Sequence, residues 1–159
     1  MLLEDKRLIK ELLTKQRVLA LSVLVDRAPY TGLLPFVVRP DFGAALVHAS
    51  RLARHTRGLV DDAPFSALIH QPDSPGTDPL QLPRVTLQGR VCPLQIGSPA
   101  CESAQRLYIA RLPQSVPTFD LPDFTLYALI FNSARYVMGF GQVGNITAQD
   151  LRELATEQI

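Results

Sequence analysis

The feature that most constrains the fold is a series of short apolar runs separated by turn residues. The first run, "VLALSVLV" at Val18–Val25, is almost unbroken in β-branched and aliphatic residues, as in a strand covered on both faces. Six or seven strands at such short spacing do not make alternating βαβ units, so the sequence predicts a mainly β fold, an antiparallel barrel with a few peripheral helices. The predicted strands lie at 18–25, 30–38, 44–49, 65–70, 84–91, 124–131 and 134–140, the last two joined at Asn132-Ser133.

Helix patterns flank and interrupt these strands. Residues 2–15 place Leu2, Leu8, Ile9, Leu12 and Leu13 on one helical stripe, which predicts an opening amphipathic helix. Ser98-Pro99 combines a cap with a first-position proline, which predicts the start of another helix. A capping-box pattern starts at Thr147, which predicts a closing helix at 148–157. Ser50 offers an N-cap for a helix that runs to about Asp61. The loop 71–83 contains four prolines, and we expect one domain over 1–159 with its barrel at about 17–141.

Composition and charge restrict the possible partners. The sixteen basic and fifteen acidic residues leave a formal charge of +1, so we expect neither nucleic acid nor an anionic membrane as a partner. No apolar run reaches the length of a membrane span, and the first residues lack a signal-peptide pattern, which makes a cytoplasmic protein the expectation. Cys92 and Cys101 are too far apart for a CxxC motif and are interpreted as structural thiols.

One stretch, "HASRLARHT" at 48–56, carries the strongest functional signal. It stands where a predicted strand meets a predicted helix, and free N–H groups at a helix start stabilise an anion. Ser50 adds a hydroxyl, Arg51 a forked cation, and His55 and Thr56 follow one turn later, which together predict a phosphate site. The alternative is a capped surface helix with solvated side chains. Arg54 and Arg57, on other helical phases, are interpreted as plain surface charges.

The order of these motifs resembles a known family. "LSVLVDRAPYTGLLPFVV", "ASRLARHTRGL", "APFSALI" and "PRVTLQGRV" are similar to the FMN-binding split barrel of the pyridoxamine 5′-phosphate oxidase superfamily. The closing "FTLYALIFNSARYVMGFGQV" resembles the branch that contains haem-utilisation and cellular-repressor-like proteins. The resemblance covers roughly residues 8–145. It implies a six- to seven-stranded antiparallel split β-barrel that binds FMN at a homodimer interface.

The resemblance also implies which positions contact the cofactor. The phosphate would lie at the junction after the third strand, the ring along the second strand, and the polar-faced strand would place a side chain near the ring. The corresponding residues are Ser50, Arg51, Leu52, His55 and Thr56 for the phosphate, Leu33, Leu34 and Pro35 for the ring, and Arg84, Thr86 and Gln88 on the polar-faced strand.

Two departures from the family pattern bear on function. His55 stands where many members have lysine, so its charge is partial near neutral pH and flavin affinity would fall as pH rises. The residues after Gly141 contain no histidine, although the true pyridoxamine-phosphate oxidases use an Arg and His pair there. This argues against pyridoxamine-phosphate oxidation.

Two classes of function remain from the sequence. The first is an FMN-dependent oxidoreductase of unknown small-molecule substrate, in which the flavin carries the redox chemistry. The second is a non-catalytic dimeric barrel that binds flavin or haem weakly. His48 and His70 end strands without a carboxylate or cysteine at metal-ligand spacing, so they are interpreted as structural imidazoles and no metal site is predicted.

Overall fold

The computed structural model describes residues 1–158 as a curled antiparallel sheet with helices outside it. The sheet has eight strands, which confirms the expected mainly β barrel although the sequence predicted six or seven. The strands are β1 (Val18–Val25), β2 (Ala28–Pro35), β3 (Val37–Val38), β4 (Ala44–Ser50), β5 (Pro64–His70), β6 (Arg84–Pro93), β7 (Phe124–Val137) and β8 (Val143–Thr147).

The order of the strands explains why the sheet curls. The path is β2-β1-β5-β6-β7-β4-β3, and β8 pairs with β7 off this path. The two ends of the path, β2 and β3, are separated in the chain by the single residue Phe36, so the chain itself draws the ends together. Inward-facing side chains fill the enclosed space, and Leu21, Ile69 and Leu87 are completely buried. This is the split barrel that the resemblance implied.

Three α-helices cover the barrel: α1 (Leu3–Lys15), α2 (Pro99–Arg111) and α3 (Ala148–Thr156). α1 buries Ile9 and Leu12 in the barrel core, as its apolar stripe predicts. The predicted caps are present, because Ser98 accepts from the Cys101 N–H and Thr147 forms a capping box with Asp150. Within residues 1–158, no helix is long and apolar enough to cross a bilayer.

The other face of β4 and β7 packs against α2 and forms a second apolar cluster. Cys101 and Tyr108 of α2 meet Leu46 of β4 and Leu126 of β7 there. Cys101 is buried and Cys92 is half-buried, and both are free thiols, in agreement with a structural role.

The predicted turn at Asn132-Ser133 is wrong. Residues 124–137 form one continuous strand that pairs with β6 from Tyr127 to Val137. Gln88 pairs with Ser133 and Gly89 with Phe131, so Asn132 is the extra residue of a β-bulge. Two exposed polar residues in succession resemble a turn in the sequence, whereas here they mark a change of register within one strand.

The predicted helix from Ser50 to about Asp61 is also wrong. Ser50 is the last residue of β4, and the only helical structure in this interval is a short 3₁₀ helix at Arg54–Gly58. The hydroxyl of Ser50 donates to the Asp123 carboxylate and accepts from the N–H of Leu52, so it caps a tight turn rather than an α-helix. The expected row of free N–H groups at a helix start is therefore not formed.

The bulge in β7 depends on the absence of a side chain at Gly89. A Cβ at this position would lie 1.7 Å from the carbonyl oxygen of Ile130. We expect Gly89→Ala to lower the free energy of unfolding by about 3 kcal/mol or more, measured by urea denaturation.

Gly43→Ala is the matched control, because a Cβ there meets only the Asp41 carboxylate at 3.2 Å, which can move. We expect it to cost under about 1 kcal/mol. Equal losses for the two variants would contradict the importance of the bulge.

Candidate functional site

The junction between β4 and the 3₁₀ helix is held together by two hydroxyl groups. Thr56 is nearly buried, at 8% exposure, and its Oγ1 donates to the carbonyl of Ser50 at 2.6 Å. The Ser50 hydroxyl donates to Asp123, and the N–H of Arg51 donates to the Asp123 carbonyl at 2.8 Å. Ser50 and Thr56 thus use their hydroxyl protons inside the protein and fix the path of the chain.

The guanidinium of Arg51 has no ion-pair partner among residues 1–158. It makes one long hydrogen bond, 3.4 Å to the carbonyl of Pro122. Arg57, by contrast, pairs with Asp26 at 2.8 Å, and Arg54 lies 5.4 Å from the centre of the Tyr30 ring. Arg54 and Arg57 therefore have local partners, and the charge available to an anion at this junction is that of Arg51.

His55 brings the junction into contact with β2. A Cβ at Gly32 would lie 2.8 Å from Nδ1 of His55, so the imidazole lies directly against the backbone of β2. Burial lowers the pKa of His55 below its usual value, which keeps the ring neutral near pH 7. The junction and the second strand, which the family resemblance associated with one cofactor, are neighbours in the structure.

The three predicted residues of β2 face in different directions. Leu33 is 71% exposed, Pro35 is also exposed, and Leu34 is 3% exposed with its side chain in the barrel core. β2 ends the strand order, so one of its edges has no strand beside it within the described chain. This edge leaves backbone N–H and C=O groups for a ligand, while Leu34 can contribute only main-chain atoms. Leu52, at 88% exposure, is also on the surface.

The polar-faced strand does not meet the junction within one chain. Thr86 pairs with Leu68 of β5, which pairs with Ala20 of β1, which pairs with Leu33 of β2. Three strand spacings separate β6 from β2, a distance of about 14 Å. Gln88 lies one row further along, and Arg84 donates to the carbonyl oxygens of Leu80 and Leu82, where it holds the loop 71–83. Ser50 pairs with Phe124 at the start of β7, whereas Gln88 pairs with Ser133, about 30 Å further along the same strand. Arg84, Thr86 and Gln88 are therefore remote from Ser50 and Arg51 of the same chain.

A cavity beside the junction was not indicated by any sequence pattern. We call it the His48 cavity; it has a volume of about 590 Å³ and lies between β4, α2 and the 3₁₀ helix at Pro113–Asp120. Its walls include His48, Phe124 and Pro35, and Phe124 is the cross-strand partner of Ser50. His48 and Ser50 share one face of β4, because residues two apart on a strand point the same way. The cavity and the junction are thus adjacent along this face.

His48 is fixed in the cavity wall by aromatic and polar contacts. Its ring stacks on Phe119 at 4.0 Å between centroids, and its Nδ1 lies 3.0 Å from the hydroxyl of Thr118. Burial lowers the pKa of His48 to about 4, so the imidazole is neutral at pH 7. These contacts agree with the structural role expected for it. His70 is exposed, with its Nδ1 near the carbonyl of Gln71.

No family model and no curated protein matches the chain, but solved structures do. A haem-binding protein from Mycobacterium smegmatis has a TM-score of 0.80 and 24% identity over 94% of this chain and 59% of its own. Atu2129, a protein of unknown function from Agrobacterium tumefaciens, has a TM-score of 0.73 and 31% identity over 93% of this chain and 60% of its own. The chain thus spans about three fifths of these two relatives.

Another neighbour matches over almost its full length. The haem storage protein HutZ from Vibrio cholerae has a TM-score of 0.71 and 21% identity over 92% of this chain and 95% of its own. Among more remote structures is an FAD- and haem-binding protein from Mycobacterium smegmatis, with a TM-score of 0.64 and 14% identity over 87% of this chain and 80% of its own.

These neighbours define the class of fold. The chain has the split-barrel fold of these haem-binding, haem-storage and FAD-binding proteins, which confirms the fold implied by the resemblance in the order of its motifs.

The depressed pKa of His48 links stability to pH. In the unfolded chain this histidine has a pKa of about 6.5, so the unfolded chain binds a proton more readily than the folded chain. The free energy of unfolding is therefore at its full value above about pH 6.5 and decreases as the pH is lowered towards 4. His48→Gln should remove this part of the pH dependence, on the order of 1–2 kcal/mol after solvent screening, as measured by urea unfolding across that range.

His70→Gln is the control, because His70 lies exposed at the end of β5. We expect this variant to keep the full pH dependence of the parent protein. A flat pH profile in the parent protein would contradict the assignment to His48.

Proposed function

We propose that this protein is an FMN-binding flavoprotein and an oxidoreductase of a small-molecule substrate, with the FMN phosphate bound at the junction 50–56. The observation that carries the proposal is the Arg51 guanidinium, which forms no ion pair among residues 1–158, in the same turn of chain as a histidine that lies against β2. Ser50 and Thr56 fix the turn that presents these groups, and Leu52 lies between them at the surface. The bound flavin would supply hydride or electron transfer.

The charge at the junction fits a phosphate dianion. Arg51 can offer two parallel N–H donors to two phosphate oxygens, the arrangement for which a guanidinium is best suited. His55 is neutral in the free protein because of burial, and a dianion beside it would favour its protonated form. FMN affinity would therefore rise as pH falls through the pKa of His55.

The free edge of β2 fits the ring of the same cofactor. Isoalloxazine has alternating hydrogen-bond donors and acceptors along one side, and main-chain groups at Leu33–Pro35 can pair with them. Leu33 and Pro35 add apolar surface next to that edge. The contact of His55 with Gly32 sets the phosphate and ring positions next to each other along one strand.

A second copy of the chain would complete the site. The outer face of β1, β2 and β5 carries exposed or half-exposed apolar side chains, among them Val18, Leu24, Leu33 and Leu68. Such a face is typical of a subunit interface. We infer a homodimer in which β6 of the partner brings a Thr86 and Gln88 to the ring, since these residues are remote from the junction of their own chain.

The second candidate function is a non-catalytic dimer that binds haem or flavin weakly. It is favoured by the haem-binding and haem-storage descriptions of two structural neighbours. In this case the cytoplasmic protein would hold or carry the cofactor without turnover. In an enzyme, a reductant would bleach the bound flavin and air would reoxidise it. A storage protein would release its cofactor unchanged.

Arg51 provides the direct test of the phosphate site. We expect Arg51→Ala to weaken FMN binding by about 1–3 kcal/mol and to leave riboflavin, which lacks the phosphate, almost unaffected, as measured by flavin fluorescence titration. His55→Ala should act in the same direction, with an effect that grows as the pH is lowered and the imidazole becomes protonated.

Arg57→Ala is the matched control, because this arginine lies in the same segment but is paired with Asp26. It should bind FMN like the parent protein. Equal losses for FMN and riboflavin would overturn the phosphate assignment, and uptake of haemin without uptake of FMN would support the second function.

The dimer is tested through Leu33, which is exposed in the single chain. We expect the parent protein to sediment as a dimer at micromolar concentration and Leu33→Arg to sediment as a monomer, because a buried unpaired charge disfavours association. Ile96→Arg, at a site of 75% exposure away from β1 and β2, should remain dimeric. A monomeric parent protein would contradict the shared site.

A further inference from the structure

The His48 cavity has the size and lining of a small-molecule site. Its volume of about 590 Å³ lies within the range that ligand pockets occupy. Its apolar wall is built from Val18, Pro35, Leu112 and Phe124, which come from four separate elements of the fold. Such a wall excludes water and favours a ligand with a large apolar surface.

Aromatic rings form the side of the cavity next to β4. The His48 ring lies 5.0 Å from that of Phe124 and 6.0 Å from that of Tyr108, and it stacks on Phe119 behind it. Stacked and edge-to-face contacts give aromatic ligands an additional gain over aliphatic ones of the same area. The cavity therefore favours a ligand that contains an aromatic ring system.

The charged side chain of Arg17 lines the cavity. Among the described residues that line it, Arg17 is the permanently charged one, since His48 is neutral at pH 7. The Arg17 guanidinium is exposed and makes a single weak contact, 3.5 Å to Oε1 of Gln114. It forms no ion pair with a carboxylate of residues 1–158. This cation at the rim is available to an anionic ligand group.

We propose that the His48 cavity binds a planar aromatic carboxylate of two or more rings, with the carboxylate on Arg17 and the rings against Phe124 and His48. The cavity shares Pro35 with the proposed flavin site but does not include Ser50, Arg51 or His55. The inference goes beyond the proposed function and does not depend on flavin binding. A ligand held here would lie beside the ring of a bound flavin.

The test uses 2-naphthoate as the probe and 2-naphthalenemethanol as its neutral counterpart, each titrated into the full chain by isothermal calorimetry at pH 7. We expect one naphthoate per chain. Arg17→Ala should weaken naphthoate at least tenfold and leave the neutral compound within about twofold, because a charge-assisted hydrogen bond to the carboxylate is lost. Arg152→Ala, an exposed arginine on α3, should bind naphthoate as the parent does.

A second variant tests the position of the rings. Val18 lies at the cavity wall with 46% exposure, so Val18→Trp can fill the opening without replacing a core residue. Val18 also belongs to the face inferred for the subunit interface, so the variant is compared with the parent protein at the same oligomeric state, as determined by sedimentation. The variant should abolish binding of both compounds while its thermal unfolding stays cooperative. Binding by Val18→Trp at parental affinity, or by Arg17→Ala at parental affinity, would overturn the proposal, as would an absence of binding by the parent protein at millimolar naphthoate.

The same titration in Arg51→Ala separates this inference from the proposed function. Unchanged naphthoate binding in a variant that has lost FMN affinity would support two independent sites. Loss of naphthoate binding in Arg51→Ala would overturn the placement of the carboxylate on Arg17.

Discussion

The turn at the end of β4 depends on Ser50, and the position of the candidate site depends on that turn. The hydroxyl of Ser50 holds Asp123 and the Leu52 N–H, and its carbonyl accepts from Thr56. The chain is thereby reversed onto the first hairpin, where Gly58 packs so closely on β1 that a Cβ would lie 2.7 Å from the Leu24 carbonyl oxygen. As a result Arg51 points to the surface and His55 lies on Gly32. The proposed anion site would therefore rest on a hydroxyl-bonded turn and not on a helix N-terminus.

The alternation along β4 connects this turn with the adjacent cavity. Val47 and Ala49 point into the barrel core, whereas Leu46, His48 and Ser50 point to the opposite face. α2 and the 3₁₀ helix at Pro113–Asp120 cover that face incompletely. β4 therefore contributes Val47 and Ala49 to the barrel core, His48 to the cavity wall and Ser50 to the junction. A shift of this strand would move all three regions together.

Much of the fold could be predicted from local patterns. The strand at Val18–Val25, the Thr147 capping box and the Ser98-Pro99 cap all occur as expected, because neighbouring residues in the chain determine them. The expectation that this strand is covered on both faces is wrong for the single chain, because burial alternates along it and Leu24 is exposed. The helix after Ser50 could not be corrected from sequence, since the competing partner of its hydroxyl, Asp123, is remote in the chain. The bulge at Asn132 depends on the close approach of Gly89, which is also a long-range contact.

The candidate site shows the same division. The junction and β2, two of the regions chosen from the family resemblance, are in contact, whereas the distance of Thr86 and Gln88 from the junction could be seen only from the strand pairing. The His48 cavity has no local signature, because its walls come from six elements that lie far apart in the sequence. Aromatic and apolar residues such as Phe124 and Leu112 were indistinguishable from core residues until the packing around them was known.

The most direct measurement is a crystal structure of the protein after soaking with FMN. The account predicts electron density for the phosphate within hydrogen-bond distance of the Arg51 guanidinium, with the ring along the free edge of β2. Flavin density at another surface, with Arg51 still directed into solvent, would contradict it.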